Sequence, residues 1–204
     1  MAERRSASEP APQYKYRLDL ARRYFPAHGR LLDVGCGSGD WAASIARELP
    51  GLEAHGVDVV AGCTANIIFR QYDGRLLPFS DGHFDAVLVF SVLHHAEVPE
   101  DLVSEISRVS RLGARILVVE DIVSSRVQKV LTRIADVYAN RVRNVGRALR
   151  GTGRWAMARV PMTYQYRSYP EWVSVFDERG LAVLQVSSIP KLMVEHGVFV
   201  LEKR

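Results

Sequence analysis

Ten residues, Leu31-Leu32-Asp33-Val34-Gly35-Cys36-Gly37-Ser38-Gly39-Asp40, constrain this chain more than any other stretch. Apolar Leu31, Leu32 and Val34 suit a short strand covered on both faces. Gly35, Gly37 and Gly39 can take positive φ and let a ligand come close to the backbone. Asp40 then caps or charge-stabilises a helix that runs from Trp41 to about Leu49.

Two ligand classes use a turn of this kind. A dinucleotide needs GxGxxG, with its pyrophosphate on the helix N-terminus. Here the spacing is GxGxG, and Asp33 stands at the strand end just before the glycines. A carboxylate there repels a pyrophosphate and favours a ligand carrying an ammonium group. S-adenosylmethionine (SAM) has that group beside a sulfonium. A glycine-rich turn without any ligand is the remaining alternative.

The chain of 204 residues is long enough for one domain with a proper core. With 48% hydrophobic and 25% charged residues it reads as an ordinary globular protein. The longest apolar run, Ala86 to Leu93, is interrupted by Ser91 and is too short to cross a bilayer. Residues 1–12 have no apolar core, so they read as a disordered leader and not as a secretory signal. Cys36 and Cys63 are the only cysteines. Two cysteines imply no disulfide framework, and a cytoplasmic location is the default.

The net charge is +4, but it is unevenly spread. Ser124 to Arg167 holds nine arginines, one lysine and a single acid, Asp136. In the same segment Val127, Val130, Leu131, Ile134, Val137, Tyr138, Val142, Val145 and Leu149 recur at helical spacing. Residues 122–167 therefore read as a basic helical lid inserted over the mouth of a site. The plainer alternative is a solvated face of an ordinary helix.

The remaining pattern alternates strands and helices. Gln13 to Phe25 is helical, and its Tyr14, Tyr16 and Arg17 either reach the ligand end of the sheet or simply pack on it. Leu52 to Val59 is a second strand, with Asp58 placed to accept ribose hydroxyls. The next crossover is too short for a helix before a third strand at Asn66 to Tyr72. Asp73-Gly74 ends that strand, where a side chain can meet an adenine amino group or merely make a turn. Phe84 to Val92 is a fourth, central strand. His94 and His95 follow it and are a poor metal pair, so no metal is expected.

Pro99 to Arg111 is a helix stopped by Leu112-Gly113, and Ala114 to Val119 is a fifth strand closed by Glu120-Asp121. Ser168 to Glu178 is a helix with Ser168 as N-cap and Glu171 in a capping box. Leu181 to Ser188 and Val194 to Glu202 must pair antiparallel, because their link is too short for a crossover helix.

With these motifs the chain resembles the class I SAM-dependent methyltransferases, over roughly Leu18 to Lys203. LLDVGCGSG, GVDV, YDGRLLPFSDGHFDAVLVFSVLHH and VSEISRVSRLGARILVVED carry the likeness. The resemblance implies an α/β fold: a Rossmann-like, doubly wound seven-stranded sheet, mostly parallel, with a C-terminal antiparallel hairpin. It implies one methyltransferase domain over 13–204, with SAM as cofactor and S-adenosylhomocysteine (SAH) as product.

It also implies roles. Asp33 and the backbone of Gly35, Cys36, Gly37 and Gly39 would hold the amino acid end of SAM. Asp58 and Val59 would hold the ribose, and Asp73 with Gly74 the adenine. Phe90, Ser91 and His95 would line the methionyl side. A bacterial subset of the family shares a DxxxN pair and a Tyr-x-Tyr-Arg-Ser segment before a Trp-bearing helix. Here these are Asp136, Asn140, Tyr164, Tyr166, Arg167 and Trp172.

Methyl transfer needs alignment and exclusion of water, and a base only where the acceptor must lose a proton. His94, His95, Asp121 and Tyr138 are the candidate bases. The basic lid suits a small anionic acceptor. It also suits RNA, although no recognised RNA-binding module is present. An apolar stripe beside arginines suits a lipid acceptor or peripheral membrane contact. A SAM-binding partner protein without chemistry is a further alternative. A monomer and a homodimer both fit.

Overall fold

The structure is a computed structural model. It describes residues 12–125, 127–134, 137–138, 164–189 and 195–204. The leader proposed for residues 1–12 lies almost wholly outside that set, as do Asp136, Asn140 and most of the proposed lid.

Helix α1 (Pro12–Tyr24) precedes strand β1 (His28–Val34), helix α2 (Asp40–Glu48) and strand β2 (Gly51–Asp58). Strands β3 (Ile68–Gln71) and β4 (Phe84–Phe90) follow, then a 3-10 turn at Leu93–His95, helix α3 (Pro99–Val109) and strand β5 (Ser110–Ile122). A helix at Tyr169–Asp177 leads into strands β6 (Leu181–Ile189) and β7 (Glu195–Lys203).

The seven strands form one sheet in the order β3-β2-β1-β4-β5-β7-β6. The first five strands run parallel. β7 is antiparallel to both β5 and β6. The expected mostly parallel, doubly wound sheet with a closing antiparallel hairpin is what forms. The chain leaves β1 toward β2 and β3, then returns to place β4 on the other side of β1. That reversal opens a crevice at the carboxyl ends of β1 and β4, where such sheets bind ligands.

Alternation along the strands builds two cores. Ile116, Val118 and Ile122 of β5 meet α3 and the Tyr169–Asp177 helix, together with Trp172, Phe176 and Phe199. Leu117 and Val119 face the other way, onto Leu18, Ala21 and Phe25 of α1 and Ala42 and Ile45 of α2. A period of two in a strand buried on both faces produces this split.

Several boundaries differ from expectation for identifiable reasons. The N-cap of α2 is Gly39, in the left-handed region at φ 83°, not Asp40. Asp40 is the first helical residue and accepts a hydrogen bond from Ser38 Oγ (2.7 Å). α3 ends at Val109, and Leu112-Gly113 lies inside β5 rather than stopping a helix. The pairing jumps from Phe84↔Ser110 to Ala86↔Arg115, so residues 111–113 bulge outward and leave Leu112 77% exposed, while Ala114 is buried again. β4 stops at Phe90 because Ser91 takes a positive φ of 55°. As expected, no helix separates β2 from β3. Ser38 O instead accepts from Thr64 N (3.1 Å) and Ala65 N (3.0 Å), which ties the short crossover to the glycine turn.

The Ser168 cap forms as read. The Glu171 carboxylate accepts from Ser168 N (2.6 Å) and Ser168 Oγ (2.7 Å), and its pKa is held below the usual range by the Ser168 backbone N–H. Ser168→Ala is expected to cost about 1 kcal/mol. That should lower the melting temperature by roughly 2–4 °C; an unchanged melting curve would show that the cap adds nothing.

Within the proposed lid, residues 127–134 are helical. Its apolar stripe (Val127, Val130, Leu131 and Ile134) faces outward, while Thr132 is buried. Among the described residues no helix is long and apolar enough to cross a membrane.

Candidate functional site

The crevice starts at the glycine turn. Gly35 N and Cys36 N both donate to Val57 O, at 2.8 and 3.0 Å, which fixes the turn on β2. Gly37 has φ 54°, and a Cβ built on it would meet nothing within 4 Å. Its neighbour Gly39 differs, since a Cβ there would strike Cys63 Sγ at 2.8 Å. Gly39 is therefore required by packing. Gly37 leaves open space over the backbone, which is where a ligand can sit.

Asp58 closes the end of β2 beneath this turn. Its Oδ2 accepts from Gly37 N (2.9 Å) and its Oδ1 from Val60 N (3.0 Å). A carboxylate has about four acceptor positions, so two backbone bonds leave room for two hydroxyls. Asp73 Oδ1 accepts from Arg75 N (2.9 Å) and Leu76 N (3.0 Å), and these bonds hold its pKa down. Gly74 follows with φ 84°, its missing Cβ 3.2 Å from Val59 Cγ1. The loops after β2 and β3 thus bring Asp58, Val59, Asp73 and Gly74 to one side of the glycine turn.

Asp33 is buried below the turn, and Ala42 N–H donates to its carboxylate. Burial pushes its carboxyl up to about 7, with the charge of Asp58 adding to the rise and the Ala42 bond opposing it. An unfolded aspartate titrates near about 4. Between those values the unfolded chain has released a proton that the folded chain keeps. Stability contributed at low pH is therefore lost as pH rises toward about 7. The stability of wild type relative to Asp33→Asn is expected to fall by on the order of 2–4 kcal/mol between pH 4 and 8. Urea melts at several pH values measure it, and a pH-independent difference would refute it.

The other wall is built at the ends of β4 and β5. Ser91 N reaches Val119 O (2.7 Å) despite the left-handed φ of Ser91. Glu120, fully buried, accepts from Val92 N and Leu93 N through Oε1, both at 2.7 Å. Its Oε2 lies 2.5 Å from His94 Nδ1. Buried carboxylates need such partners, and here three donors converge on one. Sharing this carboxylate holds the buried imidazole of His94 in one orientation.

Tyr164, Tyr166 and Arg167 join this wall. Gln165 N donates to His94 O (2.9 Å) and Val123 N to Arg167 O (3.1 Å), so the segment lies across the end of β5. His94 stacks on Tyr166 at 5.3 Å, and His95 meets Tyr164 edge-on at 5.6 Å. Tyr164 also has a positive φ of 47°. Left-handed non-glycine residues cluster where structure is held for function. Arg167 pairs with Glu100 and lies 5.4 Å over the Trp172 ring, which joins the Tyr-x-Tyr-Arg segment to the helix behind it.

The structure thus brings together Gly35, Cys36, Gly37, Gly39, Asp58, Val59, Asp73 and Gly74 on one side. It gathers Ser91, His94, His95, Tyr164 and Tyr166 on the other. Phe90 stands between them, edge-on to Trp41 of α2 at 5.2 Å. Asp121 is buried beside His196, with Oδ1 2.9 Å from Nε2. Tyr138 is helical and 71% exposed, although its neighbour Val137 packs on Val123, Tyr164 and Tyr166. No metal-binding group of His, Cys, Asp or Glu occurs among the described residues.

Glu120 and His196 are the site residues that sequence reading passes over. Glu120 had a signal, an acid closing the apolar run Ile116 to Val119, whereas His196 had none.

Sheet order, glycine turn and acid-ended second strand define a Rossmann-like class I methyltransferase fold. A family described as "Methyltransferase domain" matches residues 5–186, and the chain belongs to that family. A ubiquinone/menaquinone biosynthesis C-methyltransferase, UbiE of Pseudomonas fluorescens, is 30% identical over 124 residues, covering 54% of this chain and 48% of the relative. The chain therefore spans about half the length of the curated relatives it matches. Among solved structures, the YcgJ protein from Bacillus subtilis aligns with a TM-score of 0.67 at 19% identity, covering 94% of this chain and 97% of that one. The geranyl diphosphate C-methyltransferase from Streptomyces coelicolor, solved with Mg2+, geranyl diphosphate and SAH, aligns with a TM-score of 0.68 at 13% identity, covering 93% and 79%.

Proposed function

We propose that this protein binds SAM in the crevice and transfers its methyl group to a small, hydroxylated ring compound. The observation that carries the reading is the pairing of the open space over Gly37 with the Asp58 carboxylate directly beneath it. That pairing suits a ribose diol beside a ligand lying close on the backbone, while Asp33 at the end of β1 disfavours a diphosphate there.

SAM supplies a methyl carbon already made electrophilic by its sulfonium. The residues of the chain have two tasks, alignment and proton removal. Asp58 takes the ribose hydroxyls, while Asp73 and Gly74 meet the adenine. Asp33 lies under the ammonium end, whose positive charge favours the ionised form of this buried carboxyl.

Across the crevice, His95 lines the acceptor's side, backed by the buried rings of Tyr164 and Tyr166. His94 Nε2 accepts the acceptor's hydroxyl proton, and Glu120 steadies the imidazolium that results. The acceptor's electron pair forms the new bond to the methyl carbon, with the pair of the breaking carbon–sulfur bond left on sulfur. Deprotonating a phenol-like hydroxyl activates both its oxygen and the adjacent ring carbons. The naming of the UbiE relative for quinone biosynthesis supports a ring acceptor.

Calorimetric titration should show binding of SAM and SAH and none of NAD. Incubation with methyl-labelled SAM should then transfer label to members of a panel of hydroxylated aromatics. Binding of NAD in place of SAM, or label retained entirely on SAM across the panel, would overturn the proposal.

A further inference from the structure

Residues 127–134 are helical and pack the opposite way round from an ordinary surface helix. Their polar side is turned inward. Thr132 is buried, and Gln128 is half-buried, its side-chain carbonyl accepting from Ser124 N (3.2 Å). Lys129 Nζ lies 3.7 Å from the Glu171 carboxylate of the helix behind it.

Their apolar side is turned out. Val127, Val130, Leu131 and Ile134 are between 55% and 70% exposed. Tyr138, also helical and exposed, follows Ile134 by four positions. Residues three and four apart share one helix face, so these side chains form a stripe and are not scattered singly. A contiguous exposed apolar stripe marks a surface that binds something.

Charge decides between the possible occupants. The sequence from Ser124 to Arg167 has nine arginines and one lysine against a single acid, in a chain whose net charge is +4. The stripe thus belongs to the basic part of an otherwise acidic chain. Arg133, on the same helix, is exposed. A second copy of this chain in a twofold contact would set two such basic segments against each other, which like charges oppose. RNA would answer the arginines but not four aliphatic side chains, because it is held through phosphates and stacked bases. A bilayer with anionic headgroups answers both. The apolar side chains enter the acyl boundary while the cations stay among the headgroups.

We infer that this helix docks the protein peripherally on an anionic lipid surface. Val137, which follows the stripe, packs on Val123, Tyr164 and Tyr166, and the two rings back His95 and His94. A lipid surface held on the stripe therefore borders the acceptor side of the crevice. Docking uses residues outside the cofactor site and does not depend on the SAM reading.

Vesicle flotation without cofactor tests it. Wild type, Leu131→Gln/Ile134→Gln and Leu131→Glu/Ile134→Glu are mixed with vesicles of phosphatidylcholine alone, or of phosphatidylcholine with phosphatidylglycerol. Both positions are exposed, so melting curves and SAH affinity of the variants should match wild type. Wild type should partition onto the anionic vesicles at least about 10-fold more strongly than onto the neutral ones. The glutamine pair should lose about 10-fold or more of that partitioning, and the glutamate pair more still. No binding by wild type, equal binding to both vesicles, or binding unchanged in the glutamine pair overturns the inference. So does retention of wild type by RNA and not by vesicles, or self-association in sedimentation that the glutamine pair abolishes while vesicles are ignored. SAM and SAH binding is read separately by calorimetry, so a negative flotation result leaves the SAM reading standing.

Discussion

Asp58→Ala is expected to weaken SAM and SAH binding by about 100-fold. The carboxylate holds the Gly37 and Val60 amides, and in the proposed site its remaining acceptor positions would take the ribose hydroxyls. Hydrogen bonds to a charged group are worth about 1.5–3 kcal/mol each. Losing the two ribose bonds sums to at least about 3 kcal/mol, and every 1.4 kcal/mol is tenfold in affinity. The turn itself should survive, because Gly35 and Cys36 remain fixed on Val57 O. Calorimetry measures the affinity, and a melting curve without ligand checks the fold. An affinity within about threefold of wild type would remove Asp58 from the ribose site.

Glu120→Gln is expected to reduce turnover by about 10²–10⁴, the usual worth of a positioned base. The substitution is nearly isosteric. Its amide oxygen can still accept from Val92 N and Leu93 N, so the turn after β4 is kept. The amide nitrogen, however, faces His94 Nδ1 and donates to it. That forces the imidazole proton onto Nε2, the nitrogen meant to receive the acceptor's proton. SAH affinity should change by less than about threefold, while the acidic limb of the rate profile, where a general base becomes protonated and the rate falls, disappears. A loss of turnover with an unaltered pH profile would make Glu120 a structural acid only. Glu120→Ala is the contrasting variant, since it strands three buried donors and should also destabilise the fold.

The parts of this molecule that local chemistry dictates were readable from the chain. Leu31 to Gly39 needs no distant partner to be a strand and a glycine turn. Ser168 and Glu171 sit three residues apart and complete each other's hydrogen bonds. The short link between the last two strands permits only antiparallel pairing. What spacing could not reveal depends on contacts across the sheet. Glu120 and His94 are 26 residues apart and meet because β4 and β5 are neighbours. His196 meets Asp121 only because β7 inserts beside β5. Arg17 reaches His196 over 179 positions. The extended start of β5 was missed for a related reason, since Leu112-Gly113 is a stop signal locally and a bulge once Ala86 pairs with Arg115. Tyr164 and Tyr166 were picked out by likeness alone; Tyr166 stacks on His94, and Tyr164 meets His95 edge-on.

The position of β7 between β5 and β6 carries a consequence for biosynthesis. β6 leaves the ribosome first, yet the sheet offers it no seat until β7 has paired with β5. Through that interval, seconds at cellular elongation rates, the thirteen-residue edge of β5 stands open to any passing strand. Nascent chains stalled before residue 195 should therefore be the species most in need of chaperones, and cutting back the final strand should unseat two strands, not one.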